Sequence, residues 1–237
     1  MNKNIIIENV QSLLPKINIQ AIIQHGSSVH KELVTDGSDI DILVVSETAQ
    51  DKKIIEILNS QKYHIDVFDL KTTKRILLEF ENSISKKIFD TNSLSGRLLS
   101  GNLLLDNCFM EEFIKQMKES INTQKLILKF YLQSLNFIKD FQHQTDEYSM
   151  KIIFDKALDS IGTAILLKHK FYNLNPKHQI KILKIYLSKQ VYQDFIDMRF
   201  TFNIVKDKNN AFQKYKQLVF DSKILEGLQH ESDYLFY

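Results

Sequence analysis

Cysteine is almost absent from this chain, and arginine and proline are scarce. The single cysteine, Cys108, excludes an intramolecular disulfide and any cysteine-rich zinc site. Beside Phe109 it reads as a small apolar filler, not a nucleophile. Arginine occurs only as Arg75, Arg97 and Arg199, so bidentate guanidinium readout of phosphates or bases has a small part here. The two prolines are Pro15 and Pro176, and four of the six glycines lie before residue 102, which points to a helical C-terminal part. No apolar stretch is long enough to cross a bilayer, and polar residues break up "MNKNIIIENVQSLLPKI", which lacks a signal-peptide layout. Neither sign of charge is in excess. Thirty-one Lys plus Arg against 29 Asp plus Glu leave +2 and a pI near 8.4, which does not mark a dedicated nucleic-acid or membrane binder. The expectation is a cytoplasmic soluble protein whose 237 residues make one large domain or two small ones.

Apolar residues at Ile6, Val10, Leu13 and Leu14 predict a first helix, closed by Pro15. "NIQAIIQHGSS" predicts a short buried strand running into a Gly-Ser turn, and "DIDILVVS" a second strand. "AQDKKIIEILNSQ" carries helical spacing at Ile54, Ile55 and Leu58. "YHIDVFDL" predicts a third strand, with Tyr63, Ile65 and Val67 on one face and His64, Asp66 and Phe68 on the other. "KTTKRILLEFENSI" turns back to helix, and "SLSGRLLSGNLLLD" fits a loop followed by a short strand or helix start. From about residue 109 three long helical patterns follow, at 111–141, 148–169 and 177–200. The fold class expected is α+β: a catalytic mixed sheet with flanking helices over 1–105, then an all-α bundle over 106–237.

The chemistry concentrates where the first three strands end. Strand one runs into Gly26-Ser27, strand two begins Asp39-Ile40-Asp41, and strand three carries Asp66. Alternation sends Asp39 and Asp41 to one side, and two like charges there cost free energy unless a cation sits between them. A glycine admits a phosphate close to the backbone and a serine hydroxyl adds a hydrogen bond. Three carboxylates form a hard, oxygen-rich site suited to Mg²⁺, which can activate a hydroxyl, bridge phosphates and steady a departing pyrophosphate.

Taken together, "HGSSVHKELVTDGSDIDILVV" and "HIDVF" resemble the nucleotidyltransferase superfamily to which DNA polymerase beta belongs, over residues 19–70. Size and the helical second half are most similar to the small antibiotic nucleotidyltransferases of the kanamycin or lincosamide kind. The resemblance implies transfer of a nucleoside monophosphate, AMP from Mg-ATP or another nucleoside triphosphate, to a hydroxyl of a small molecule. It implies Asp39, Asp41 and Asp66 as catalytic and metal-binding residues around two Mg²⁺ ions, with Gly26 and Ser27 at the nucleotide phosphates. Many relatives carry an arginine shortly after Gly-Ser; this chain has His30 and Lys31, and Lys31 joins the nucleotide-binding set. The partners implied are a nucleoside triphosphate and a small hydroxyl acceptor held by the helical part, without a membrane or stable nucleic-acid binding, and with a homodimer allowed.

Simpler readings stand beside these. Asp39 and Asp41 after Gly37-Ser38 would suit a hairpin turn, and Asp69 competes with Asp66. His25 and His30 read as turn residues, since Mg²⁺ prefers oxygen. The aromatic residues of "KFYLQSLNF" read as core. For a general base, Asp155 or Asp159 is favoured among several carboxylates of the helical half. A second function class is modification of a protein or tRNA by a toxin–antitoxin-like nucleotidyltransferase. A fused ribonuclease partner is excluded, since no arginine is followed by histidine at the Arg-x4-6-His spacing. The third is a binding protein with a decayed site, which the intact carboxylate set argues against.

Overall fold

The computed structural model describes residues 2–29, 34, 37–48, 52–78, 94–172, 176–201, 203 and 206–226. The fold is α+β, a five-stranded mixed sheet with flanking helices followed by helices alone. The chain divides into two compact units, Met1–Ile121 and Asn122–Tyr237.

In the first unit, helix α1 (Lys3–Leu13) is capped by the Asn2 side chain, which accepts from the Asn4 N–H. Strand β1 (Ile19–His25) runs directly into a 3-10 turn, Gly26–Val29. Then come β2 (Ile40–Ser46), β3 (Lys52–Leu58), β4 (Gln61–Asp69), α2 (Leu70–Leu78), α3 (Leu94–Ser100), β5 (Asn102–Asp106) and α4 (Met110–Ser120). The strand order is β3-β4-β2-β1-β5; β2 and β4 run parallel and the other neighbours antiparallel. Ile6, Val10 and Leu14 close over one face of the sheet, against Ile22, Ile42, Val44, Ile65 and Val67. Period-two alternation therefore leaves the opposite face to Asp41, His64 and Asp66.

The helix expected around Ile54, Ile55 and Leu58 is not realised: residues 52–58 form β3, paired antiparallel with β4. The cause is the turn. Asn59 and Ser60 both take left-handed φ, 52° and 64°, as the two-residue hairpin turn that matches strand twist requires. Ile54 and Leu58 then pack against the core while Ile55 and Ile57 stay exposed on the sheet edge.

The second unit is built from α5 (Thr123–His143), α6 (Glu147–Lys168), α7 (Pro176–Tyr186), α8 (Lys189–Phe200) and α9 (Lys208–Asp221). Two of the long helical patterns are split by side-chain caps. Asn122 accepts from the Lys125 N–H at the start of α5, and Ser188 accepts from the Val191 N–H at the start of α8. Phe130, Tyr131, Phe141, Phe154, Phe195 and Tyr215 are buried, with the Phe141 and Phe154 rings 4.8 Å apart, so Phe130 and Tyr131 are core as expected while Phe137 is only half-buried. No helix among the described residues is long and apolar enough to cross a membrane.

Candidate active site

Gly26 takes φ +72°, a conformation that side chains with a Cβ disfavour. It also sits hard against the strand beside it: a Cβ placed there would lie 2.3 Å from the Asp41 Oδ2. The β1 turn and the β2 carboxylate are thus in direct contact, as the antiparallel pairing of His25 with Asp41 requires. The turn is braced from within, because the Ser28 hydroxyl donates to the His25 carbonyl at 3.0 Å and the Gln24 amide donates to the Ser28 carbonyl at 3.1 Å. The Ser27 hydroxyl makes no side-chain hydrogen bond among the described residues, which leaves it available to a ligand.

Asp39 and Asp41 point the same way, and both meet one imidazole. Asp39 Oδ2 lies 3.5 Å from His64 Nε2, and Asp41 Oδ1 lies 3.5 Å from His64 Nδ1. The Nε2 contact is close enough for an ion pair but lacks hydrogen-bond alignment. Lys62 Nζ adds an ammonium group 3.5 Å from Asp39 Oδ2. His64 and Lys62 belong to β4, and the parallel pairing of Asp41 with His64 sets them there.

Asp66 lies two residues further along β4, opposite Leu43, which is roughly 7 Å along the strand at about 3.3 Å per residue. Its Oδ2 accepts from the Arg97 Nη1 at 2.5 Å, and the two side chains are 18% and 13% exposed. Arg97 arrives on α3, whose C-terminal end comes very close to β1. A Cβ on Gly101 would lie 2.4 Å from the Ile23 side chain and 2.9 Å from the Gln24 carbonyl. Asp69, the competing carboxylate, accepts from the Thr72 N–H at 2.8 Å and caps α2; the bonds from Thr72 hold its carboxyl below the usual carboxylate range. Lys31 and His30 lie outside the described residues.

The structure therefore brings Asp39 and Asp41 together with Gly26 and sets Asp66 beside them under an arginine. Among the described residues no three His, Cys, Asp or Glu side chains form a group placed to hold a metal ion. The donor chemistry at the Asp39–Asp41 pair nonetheless fits a hard divalent cation. Two carboxylates share one side of a strand end, and one of them is wedged against a glycine that leaves no room for a Cβ. Residue-type reasoning missed His64 and Lys62; the only signal was that His64 shares the Asp66 face of its strand.

In the second unit, the favoured base candidates are engaged with cations. Lys151 pairs with Asp155 one helical turn away. Arg199 Nη1 lies 2.5 Å from Asp159 Oδ1, off hydrogen-bond alignment, and donates to the Asp155 carbonyl at 3.1 Å. Burial pushes the Asp159 carboxyl up despite the guanidinium beside it. Cys108 has its thiol pushed up, by burial first and by Asp106 next, as an unreactive filler would.

Residues 3–94 match the family model described as "Nucleotidyltransferase domain". A nucleotidyltransferase-like protein from Exiguobacterium sibiricum, known from a crystal structure, is similar at 16% identity over 93% of this chain and 75% of that one, with a TM-score of 0.46. No curated protein matches the chain.

Proposed function

We propose, for a chain whose residues 3–94 match a nucleotidyltransferase domain, that the activity is transfer of a nucleoside monophosphate, AMP from ATP, to a hydroxyl of a small molecule such as an aminoglycoside or lincosamide. The observation that carries this reading is the contact between the Gly26 turn and the Asp41 carboxylate, with Asp39 on the same side. A metal-bound triphosphate needs a backbone turn that accepts phosphate next to carboxylates that hold a cation, and the Gly26 turn against Asp41 supports that reading.

In the reaction the acceptor oxygen forms a bond to the α-phosphorus, the bond from that phosphorus to the bridging β-phosphate oxygen breaks, and pyrophosphate leaves with the acceptor proton released. Asp39 and Asp41 would hold Mg²⁺, with Asp66 completing the set. Bound there, the ion neutralises triphosphate charge and lowers the pKa of an attacking hydroxyl. Ser27 donates its free hydroxyl to a phosphate oxygen, and Lys31 adds a positive charge from the following segment. Arg97 holds the Asp66 carboxylate in position through the bond from its Nη1. Phosphoryl transfer is mostly positioning and charge stabilisation, so a rigid first unit suits it. We assign acceptor recognition to the helical residues 106–237.

The test is pyrophosphate release from ATP, GTP, CTP and UTP against aminoglycosides and lincosamides, with Asp39→Asn, Asp41→Asn and Asp66→Asn alongside. Release that needs Mg²⁺ and falls at least a hundredfold in each variant is expected. Turnover that survives in the Asp41 variant would overturn the assignment.

A further inference from the structure

The second unit contains a pocket of about 520 Å³ between α5 and α9, to which the phosphate and carboxylate chemistry of the first unit gives no role. Its wall is mostly apolar and aromatic, with Tyr131, Ile138, Phe212 and Val219 among the lining, and its polar side chains include Gln142 and two lysines, Lys139 and Lys216. We infer that this pocket binds a small amphipathic anion, with an apolar body against the aromatic wall and a carboxylate or sulfonate at the two lysines.

Three observations converge on that ligand. The volume lies in the range of small-molecule sites, which are mostly apolar with a few polar groups that orient the ligand. The wall is preformed: Tyr131 and Tyr215 are fully buried, and the Tyr215 hydroxyl is already satisfied by Ser134 at 2.6 Å. Phe220, which also lines the pocket, is 78% exposed, so the apolar surface is open to solvent and uncovered by the described chain.

Charge decides the class of ligand. The lining contains two ammonium groups and no carboxylate. Lys216 lies over the Phe212 ring with its Nζ 4.4 Å from the centroid, and neither lysine has an ion-pair partner among the described residues. An anion with an apolar tail answers both features at once, whereas a neutral apolar molecule leaves the lysines unused and a cation meets repulsion.

The probe is decanoate, with decanol as its neutral counterpart, titrated into the full chain by calorimetry and checked by displacement of anilinonaphthalene sulfonate. One saturable decanoate site per chain is expected, with decanol at least fivefold weaker. In Lys139→Gln/Lys216→Gln, two exposed positions, decanoate affinity should fall about fivefold to tenfold and the preference over decanol should disappear. Leu135→Asp, which puts a carboxylate into a half-buried part of the lining, should weaken decanoate more than decanol. An unchanged preference in the lysine variant, or no saturable binding to the full chain, overturns the inference. So does binding that emerges only in Leu235→Ser/Phe236→Ser, since the pocket would then belong to the protein's own C-terminal residues.

Discussion

Replacing Gly26 by alanine should separate two costs that the structure places on one residue. The first is conformational: Gly26 holds φ +72°, and an L-residue forced there loses about 1–2 kcal/mol. The second is steric, because the new Cβ would lie 2.3 Å from the Asp41 Oδ2, against an ordinary carbon–oxygen contact of about 3.3 Å. The carboxylate must retreat by roughly 1 Å, and a displacement of that size in a catalytic group costs on the order of a hundredfold in rate. Gly37 supplies the control. Its φ is +81° and no atom of the described residues lies within 4 Å of the Cβ position, so Gly37→Ala carries the conformational cost alone. Both variants should melt about 3–8 °C below the parent, given the roughly 1–2 kcal/mol involved. Only Gly26→Ala should also lose Mn²⁺-dependent ATP binding and pyrophosphate release. Thermal melts and calorimetric titration with Mn²⁺ and ATP read the two effects separately. Equal ATP affinity in the two variants would refute the idea that the turn sets the position of Asp41.

Further outcomes follow from other contacts. Arg97→Ala should destabilise the first unit by about 2 kcal/mol in urea unfolding, below the usual loss for a fully buried pair because both side chains keep some exposure; a loss under about 0.5 kcal/mol would mean the pair is idle. Asp106 accepts backbone N–H bonds from Cys108, Met110 and Glu111; burial alone would raise its pKa, and the bonds from those N–H groups outweigh it and hold it below the ordinary 3.8. The stabilisation is therefore present above pH 3.8 and lost as the pH falls through the lowered value, so Asp106→Asn should cost about 1 kcal/mol at pH 7 and progressively less as the pH falls below 3.8. A pH-independent difference in unfolding free energy would contradict that sign. In the second unit, Ser134→Ala should cost more than Tyr215→Phe, because the alanine leaves the Tyr215 hydroxyl buried without its partner, whereas phenylalanine leaves Ser134 bonded to the Ala157 carbonyl. Melting temperatures in the reverse order would show that Tyr215 finds another acceptor.

The parts of the site legible in the sequence are those fixed by local rules. Gly26-Ser27 announces a turn by backbone freedom, Asp39-Ile40-Asp41 puts two carboxylates on one side by the period of a strand, and Asp66 follows from the alternation of "YHIDVFDL". What local rules cannot supply is which residue of one strand faces which residue of another. The meeting of His64 with both aspartates depends on the β2–β4 register, and the reach of Arg97 to Asp66 depends on α3 approaching β1 at Gly101. The misreading of residues 52–58 has a physical source too. Apolar residues at 54, 55 and 58 satisfy helical spacing, and Ile57 with the Asn59-Ser60 turn tips the balance only once β4 is there to pair with.

That register ties the chemistry to a core that takes no part in it. On the α1 side, Ile40 stands opposite Tyr63, Ile42 opposite Ile65 and Val44 opposite Val67, and all six are buried. On the other side the same ladder stands Asp41 opposite His64 and Leu43 opposite Asp66. Sliding β4 by one residue would turn His64, Asp66 and Phe68 inward and put Tyr63, Ile65 and Val67 on the carboxylate side. Each large apolar side chain brought out of the core forfeits about 1.5–3 kcal/mol, so three of them cost roughly 5–9 kcal/mol before the buried charges are counted. That is comparable to the whole stability of a domain, so the slipped sheet is not a competitor. The repulsion between Asp39 and Asp41 is far smaller at a solvent-reached strand end, where a few kcal/mol is the upper range even at close approach. The α1 core can thus hold two like charges side by side without a bound ion, so both carboxylates are already in place for the cation that the proposed reaction calls for.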